Sequence, residues 1–264
     1  MLAQQLIRDG DLAGALAALQ DAVRKNSGDA KLRVFLFQLL SVLGQWNRAL
    51  TQLNVAGEMD AGALPMVQTY REAIQCEALR AEIFAGRRAP VIFGEPQPWM
   101  AQLAEALKLD ATDPDAAAGL RAAAFDAAPA SPGAIDGTRF DWLADADGRL
   151  GPVLEVIVNG RYVWVPFMRI ARIEIDPPAD LRDAVWTAAT FTWTNGAQAV
   201  GLIPTRYPGS VDASDDALKL ARKTEWTGEF PLGQRMLTDG GNDFPLMDAR
   251  LIEFDPNDNT GDHG

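Results

Sequence analysis

Acid–base and nucleophilic catalysis need histidine, cysteine or paired carboxylates within reach of one another. This chain of 264 residues has a single histidine, His263, in a Gly/Asp/Asn-rich C-terminal stretch, and a single cysteine, Cys76. One histidine excludes two-histidine metal motifs, and a Ser-His or Cys-His pair would have to take its base from the end of the chain. One cysteine excludes an intrachain disulfide and a zinc cluster. Carboxylate chemistry survives, with Glu155, Glu225 and Glu229 as candidates for the acid and base of glycoside hydrolysis. Asp145 and Asp147 before Gly148 suggest a calcium loop, but Leu143 and Leu154 would then occupy its first and twelfth positions, so a polar turn is the better account. The tail carries Asn257 and Asn259, yet Thr260 stands where the loop glycine belongs and the chain stops before a twelfth ligand. Gly240-Gly241 lacks the further glycines and the lysine of a phosphate-binding loop. No catalytic residue, cofactor or metal is expected.

Recognition chemistry is better represented. Arg206-Tyr207-Pro208-Gly209 follows a strand that ends near Pro204. Two readings stand: a recognition loop for peptide or carboxylate, or a structural turn with Tyr207 packed on the domain. Trp142, Trp164, Trp186, Trp193 and Trp226 fall in the C-terminal half, either lining a sugar or peptide cleft or filling the core.

Charge narrows the partners. Lys plus Arg is 24 against 36 Asp plus Glu, a net charge of −12, so a phosphate-backbone binder is not expected. The 48% hydrophobic content supports real cores. Met1 to Asp11 has no signal-peptide apolar region, and no stretch approaches the roughly 18 apolar residues of a membrane span, so a cytoplasmic protein is expected.

The elements that must position these residues divide at mid-chain. Gly10 and Gly44, Ala15 and Ala49, Leu19 and Leu53, Ala22 and Ala56 are each 34 residues apart. That is the tetratricopeptide period, although Ser27 and Arg33 stand where the consensus proline and tryptophan belong. A generic array of helical hairpins is the other reading. Leu64 to Gly86 then reads as a long helix with two apolar stripes, burying Cys76 as a small core residue. Trp99 to Leu109 reads as helix, and Asp113-Pro114 caps an Ala-rich helix to Ala127. Pro129, Pro132, Gly133 and Gly137 give 128–137 the composition of a linker, so an independent helical domain over residues 1–130 is expected.

Beyond it the period becomes two. Asn159-Gly160 predicts a hairpin pairing Val158 with Arg161, Val156 with Val163 and Leu154 with Val165. Its aliphatic face belongs to the core. The opposite face, with Glu155, Ile157, Tyr162 and Trp164, is amphipathic. Asn195-Gly196 predicts a second hairpin that pairs Phe191 with Val200 and Trp193 with Gln198. The class is therefore α+β with two domains, a tetratricopeptide-like array followed by a mainly-β small barrel or sandwich over 138–255, with 256–264 a disordered tail.

The blocks Gly151 to Phe167, Leu181 to Trp186, Ile203 to Ser210, Thr224 to Trp226, Gly233 to Arg235 and Arg250 to Phe254 resemble, in order and spacing, the ImpE/TagJ family of type VI secretion accessory proteins. The helical half is similar to that family only in layout and repeat character. The resemblance implies a cytoplasmic bacterial protein of the contractile secretion machine without known enzymatic activity. It also implies a partner, the small sheath subunit, bound through a helix of that subunit, and an influence on sheath disassembly by the machine's unfoldase. A carboxylate-based hydrolase and a chaperone-like effector or cargo binder are the rival functions.

Helical repeats bind amphipathic helices or peptides in the groove between helix pairs. In the tetratricopeptide register Lys31, Val34 and Gln38 fall on the inner face, three and four residues apart. They either contact the partner or are solvated and packed on the neighbouring unit. The Tyr162/Trp164 face of the β domain and the Arg206-Tyr207 loop are the next candidates.

Overall fold

A computed structural model describes residues 1–256. The tail expected beyond them, His263 included, lies outside the described residues. Seven helices precede the strands: α1 Leu2–Asp9, α2 Leu12–Lys25, α3 Ala30–Val42, α4 Trp46–Met59, α5 Leu64–Phe84, α6 Pro98–Leu109 and α7 Pro114–Ala127. The 34-residue repeat has a local cause. Gly10 ends α1 and Gly44 ends α3, each with positive φ (82° and 66°). The amides of Gly10 and Asp11 bond back to Ile7 and Leu6, and those of Gly44 and Gln45 to Ser41 and Leu40, the Schellman arrangement that glycine favours. The next helix of each unit buries Ala15 and Leu19, or Ala49 and Leu53, against its partner. Asp11, Asp29 and Asp113 cap α2, α3 and α7 through their side chains.

The β half runs β1 Gly133–Ile135, β2 Thr138–Phe140, β3 Ala144–Asp145, β4 Val153–Val158, β5 Arg161–Pro166, β6 Ile170–Ile175, β7 Trp186–Trp193, β8 Gln198–Pro204, β9 Thr224–Thr227, β10 Phe230–Gly233, β11 Met236–Thr238, β12 Asp243–Pro245 and β13 Leu251–Phe254, with a short helix α8, Asp216–Lys219, before β9. The main sheet is open, in the order β2-β1-β13-β6-β7-β8-β4-β5, beside a β10-β9 pair and a β12-β11-β3 sheet. Of the barrel or sandwich expected from sequence, the closed barrel is corrected to this open arrangement. The β5 edge is covered instead of closing on β2. The Trp164 amide donates to Val91 O (2.8 Å) and Trp164 O accepts from the Phe93 amide (2.9 Å), so residues 91–93 strap the edge. Segment 128–137 is also more than a linker, since it supplies β1, which pairs with both β13 and β2.

The first hairpin has the expected register, Val158 opposite Arg161 through Leu154 opposite Val165, with Asn159 and Gly160 both at positive φ. The second slips by one. Phe191 pairs with Ala199 and Thr192 with Gln198, because Gly196 has positive φ and Asn195 does not. A turn with only its glycine left-handed adds a residue to the loop.

Both faces of the β4–β5 ribbon are buried, which corrects the amphipathic reading. Leu154, Val156, Val163 and Val165 join one core with Phe167, Ile173 and Phe191. Val153, Ile157, Tyr162 and Trp164 join the other, which is continuous with the helical core. Trp186 at the start of β7 lies 5.6 Å from Tyr70 of α5 and 6.0 Å from Trp46 of α4, ring to ring. Charged caps cross the same boundary. Arg206 donates to Val42 O (2.7 Å) and Ser41 O (3.3 Å) at the end of α3. Arg222 does the same for Ile7 O (2.8 Å) and Arg8 O (2.9 Å) at the end of α1, and Asp216 accepts from the Leu12 amide (3.0 Å) at the start of α2. Each charge has the sign the helix end favours.

Candidate functional site

The inner helices α1 and α3 are separated by an open groove of about 840 Å³, and Lys31, Val34 and Gln38 all line it. Lys31 is exposed, Val34 is half-buried and Gln38 is 7% exposed. Met1, Gln4, Ile7 and Arg8 of α1 form the opposite wall, and Leu32 and Phe35 deepen the α3 side. One end is closed from the β half by Ala179, Asp180 and Leu181. That end is built rather than loose, for the Asp183 carboxylate accepts the amides of Ala179 (2.6 Å) and Asp180 (2.8 Å). Burial pushes the Asp180 carboxyl above its ordinary value, with Arg182 opposing it and a hydrogen bond from the Gln38 amide helping. The surface combines aliphatic and aromatic walls with an amide, cations from Lys31 and Arg8, and anions from Asp29 and Asp180. Such a lining suits an amphipathic helix or peptide.

The other expected contact residues are elsewhere and are buried. Tyr162 and Trp164 lie under α5, so the β-domain face they were expected to present is not a surface. The Trp164 indole donates to Tyr162 Oη (2.9 Å), which donates to Glu155 (2.5 Å). Arg206 and Tyr207 form the structural turn, not an open recognition loop. Arg206 is spent on main-chain carbonyls of α3 and on Lys219 O (2.6 Å), and Tyr207 Oη donates to Met236 O (3.0 Å) and accepts from the Met236 amide (2.8 Å).

Sequence reasoning missed what joins these residues, a buried chain of charges. Arg80 of α5 donates to both oxygens of Glu155 (2.6 and 3.0 Å) and to Arg206 O (2.8 Å). Arg235 bridges Glu155 to Asp145. Glu77, beside Arg80, accepts from the Trp186 indole (3.0 Å). Burial alone would raise the Glu155 carboxyl, but Arg80 and Arg235 hold it at about 2. Burial raises Asp145 to about 6 against the pull of Arg235. Asp147, expected in a polar turn, is buried in an ion pair with Arg149 (2.5 Å), whose guanidinium lies between the Phe84 and Phe230 rings (4.9 and 4.2 Å). The one signal in the sequence was Glu155 itself, an acid in the middle of an apolar strand.

The three candidate hydrolytic carboxylates are each engaged by a base: Glu155 as above, Glu225 by Lys223 (2.7 Å) and Glu229 by Arg121 (2.7 Å). Cys76 is buried, and burial raises its thiol to about 11, consistent with a core residue. Among the described residues no group of three or more His, Cys, Asp or Glu could hold a metal ion, and no helix is long and apolar enough to cross a membrane. Trp164, Trp186 and Trp193 are core residues, whereas Trp142 and Trp226 are exposed.

Comparison with known proteins agrees with this layout. A tetratricopeptide repeat model matches residues 6–74, and the ImpE protein model matches residues 137–253. The chain is 54% identical over 260 residues to a protein of Pseudomonas aeruginosa described as type VI secretion system accessory component TagJ, covering 98% of this chain and 92% of that one. The crystal structure of protein VPA1032 from Vibrio parahaemolyticus has the same fold, with a TM-score of 0.87 at 24% identity over 97% of this chain and 98% of that chain.

Proposed function

Because the chain belongs to the ImpE/TagJ family of type VI secretion system accessory components, we propose that it is a non-catalytic cytoplasmic adaptor that binds a helix of the small subunit of the contractile sheath and modulates sheath assembly or disassembly. The observation that carries this reading is the α1–α3 groove, where Lys31, Val34 and Gln38 meet the α1 wall and Leu181. An amphipathic helix lays its apolar stripe against Val34, Phe35, Ile7 and Leu181, while acidic side chains at its edge meet Lys31 and Arg8. Engagement of Glu155, Glu225 and Glu229 as ion-pair acceptors supports binding over hydrolysis.

The test is isothermal titration of the full chain with synthetic helices from the sheath subunit. Val34→Asp with Lys31→Glu puts two negative charges into the contact, and neither residue is fully buried. We expect affinity to fall by more than about tenfold with the melting temperature unchanged. Wild-type affinity in the double variant would move the site away from this groove. Equal binding of unrelated amphipathic helices would favour the general cargo binder.

A further inference from the structure

A second pocket, of about 470 Å³, shares no lining residue with the α1–α3 groove. Phe125 at the end of α7 and the following residues through Ser131 form one wall, and Trp142 with Ala144 and Pro152 forms the other. The lining is mostly apolar, yet the two largest rings stand at its mouth, 38% exposed for Phe125 and 43% for Trp142. Neither ring is loose. Phe125 rests on Gly151 and Trp142 on Gly240, so closely that a Cβ would come within 2.2 and 2.8 Å of the respective ring. Both glycines have positive φ. The rings are thus backed by main chain while staying partly exposed, and holding them for a ligand costs little further entropy.

Two polar features say what the ligand carries. Ser131 is among the lining residues, and its hydroxyl, just beneath the surface, is buried without a hydrogen-bond partner, a cost that a ligand amide or carbonyl reaching it would remove. Trp142 also walls an adjoining hollow with Arg139, Asp141, Asp239 and Asn242. There Arg139 is already held by Asp255 (2.6 Å), so Asp141 and Asp239 make the rim negative.

We propose that this pocket docks an extended basic segment of a partner protein. A large apolar side chain of that segment sits between the Phe125 and Trp142 rings, its main chain hydrogen-bonds Ser131 Oγ, and flanking lysine or arginine faces Asp141 and Asp239. A second copy of this chain is a poor occupant, because its net charge of −12 would oppose the acidic rim. With a partner in each of two separate sites the protein is a bridge between them.

The test uses an array of heptapeptides whose central residue is Trp, Phe, Leu or Ser and whose flanks are Lys/Arg, Gln or Asp/Glu, probed with the labelled full chain. Retention is expected on peptides with basic flanks and an apolar centre, weakening as salt is raised. By fluorescence polarisation the best such peptide should lose at least about tenfold in affinity with Trp142→Ala or Phe125→Ser, and should bind the Val34→Asp/Lys31→Glu variant as well as wild type. Asp141→Asn with Asp239→Asn, the first exposed and the second half-buried, should abolish the preference for basic flanks whether or not the aromatic variants fold. Retention no better than on the Ser-centred peptides, preference for acidic flanks, or a dimer in sedimentation that Trp142→Ala dissolves would each overturn the proposal.

Discussion

Glu155 receives donors from Arg80, Tyr162 and Arg235 while having no exposed surface. Two guanidiniums are buried on the strength of its charge. Removing one member of such a set leaves the rest uncompensated, at about 3–5 kcal/mol, so Glu155→Gln should lower the unfolding free energy obtained by urea titration by an amount in that range. The pH dependence has a definite sign. Arg80 and Arg235 overcome the effect of burial and hold the folded-state carboxyl at about 2, below its ordinary 4.5. A carboxyl depressed on folding stabilises the fold above its ordinary value, and that stability is lost as pH falls toward about 2. The gap in melting temperature between wild type and Glu155→Gln should therefore narrow between pH 4.5 and 2. A constant gap would mean that Glu155 contributes packing and not charge. Beyond the odd acid in an apolar strand and its shared face with Tyr162, none of this was legible beforehand, because Arg80 and Arg235 lie 75 and 80 residues away and no local spacing marks them.

Where one turn fixes the geometry, the elements were legible. Gly10 and Gly44 announced two helix ends through their period, and Asn159-Gly160 announced a register that the structure has. The second Asn-Gly misled, since the dipeptide allows a turn with only the glycine left-handed. The two helix-ending glycines also differ in a way the repeat conceals. Space around a Cβ at Gly10 is open, whereas at Gly44 it would lie 2.9 Å from Val211 Cβ, a residue of the β half. Alanine at either position pays for a left-handed conformation, about 1–2 kcal/mol. Gly44→Ala must in addition displace Val211. Urea titration should rank Gly44→Ala as clearly more destabilising than Gly10→Ala, and equal losses would show that Val211 yields freely.

At the scale of the molecule, the α+β division was legible from the change of period, but the strength of the join was not. Pro and Gly over 128–137 have a linker's composition, and nothing in it tells that the strands beyond supply the missing side of the helical core. Tyr70 packs on Trp186, Arg80 is neutralised by Glu155, and α1 and α3 have their last carbonyls capped by Arg222 and Arg206. Separated from the β half, residues 1–130 would expose the aromatic side of α5, leave Arg80 without Glu155 and lose both caps. The expected outcome is one cooperative unfolding transition for the whole chain, with calorimetric and van't Hoff enthalpies in agreement. A fragment of residues 1–130 should show weakened helix content by circular dichroism and no sharp melt. Two resolved transitions, the first or second matching a cooperative melt of that fragment, would mean instead that the helical array folds on its own and that the buried charge chain only docks two finished domains.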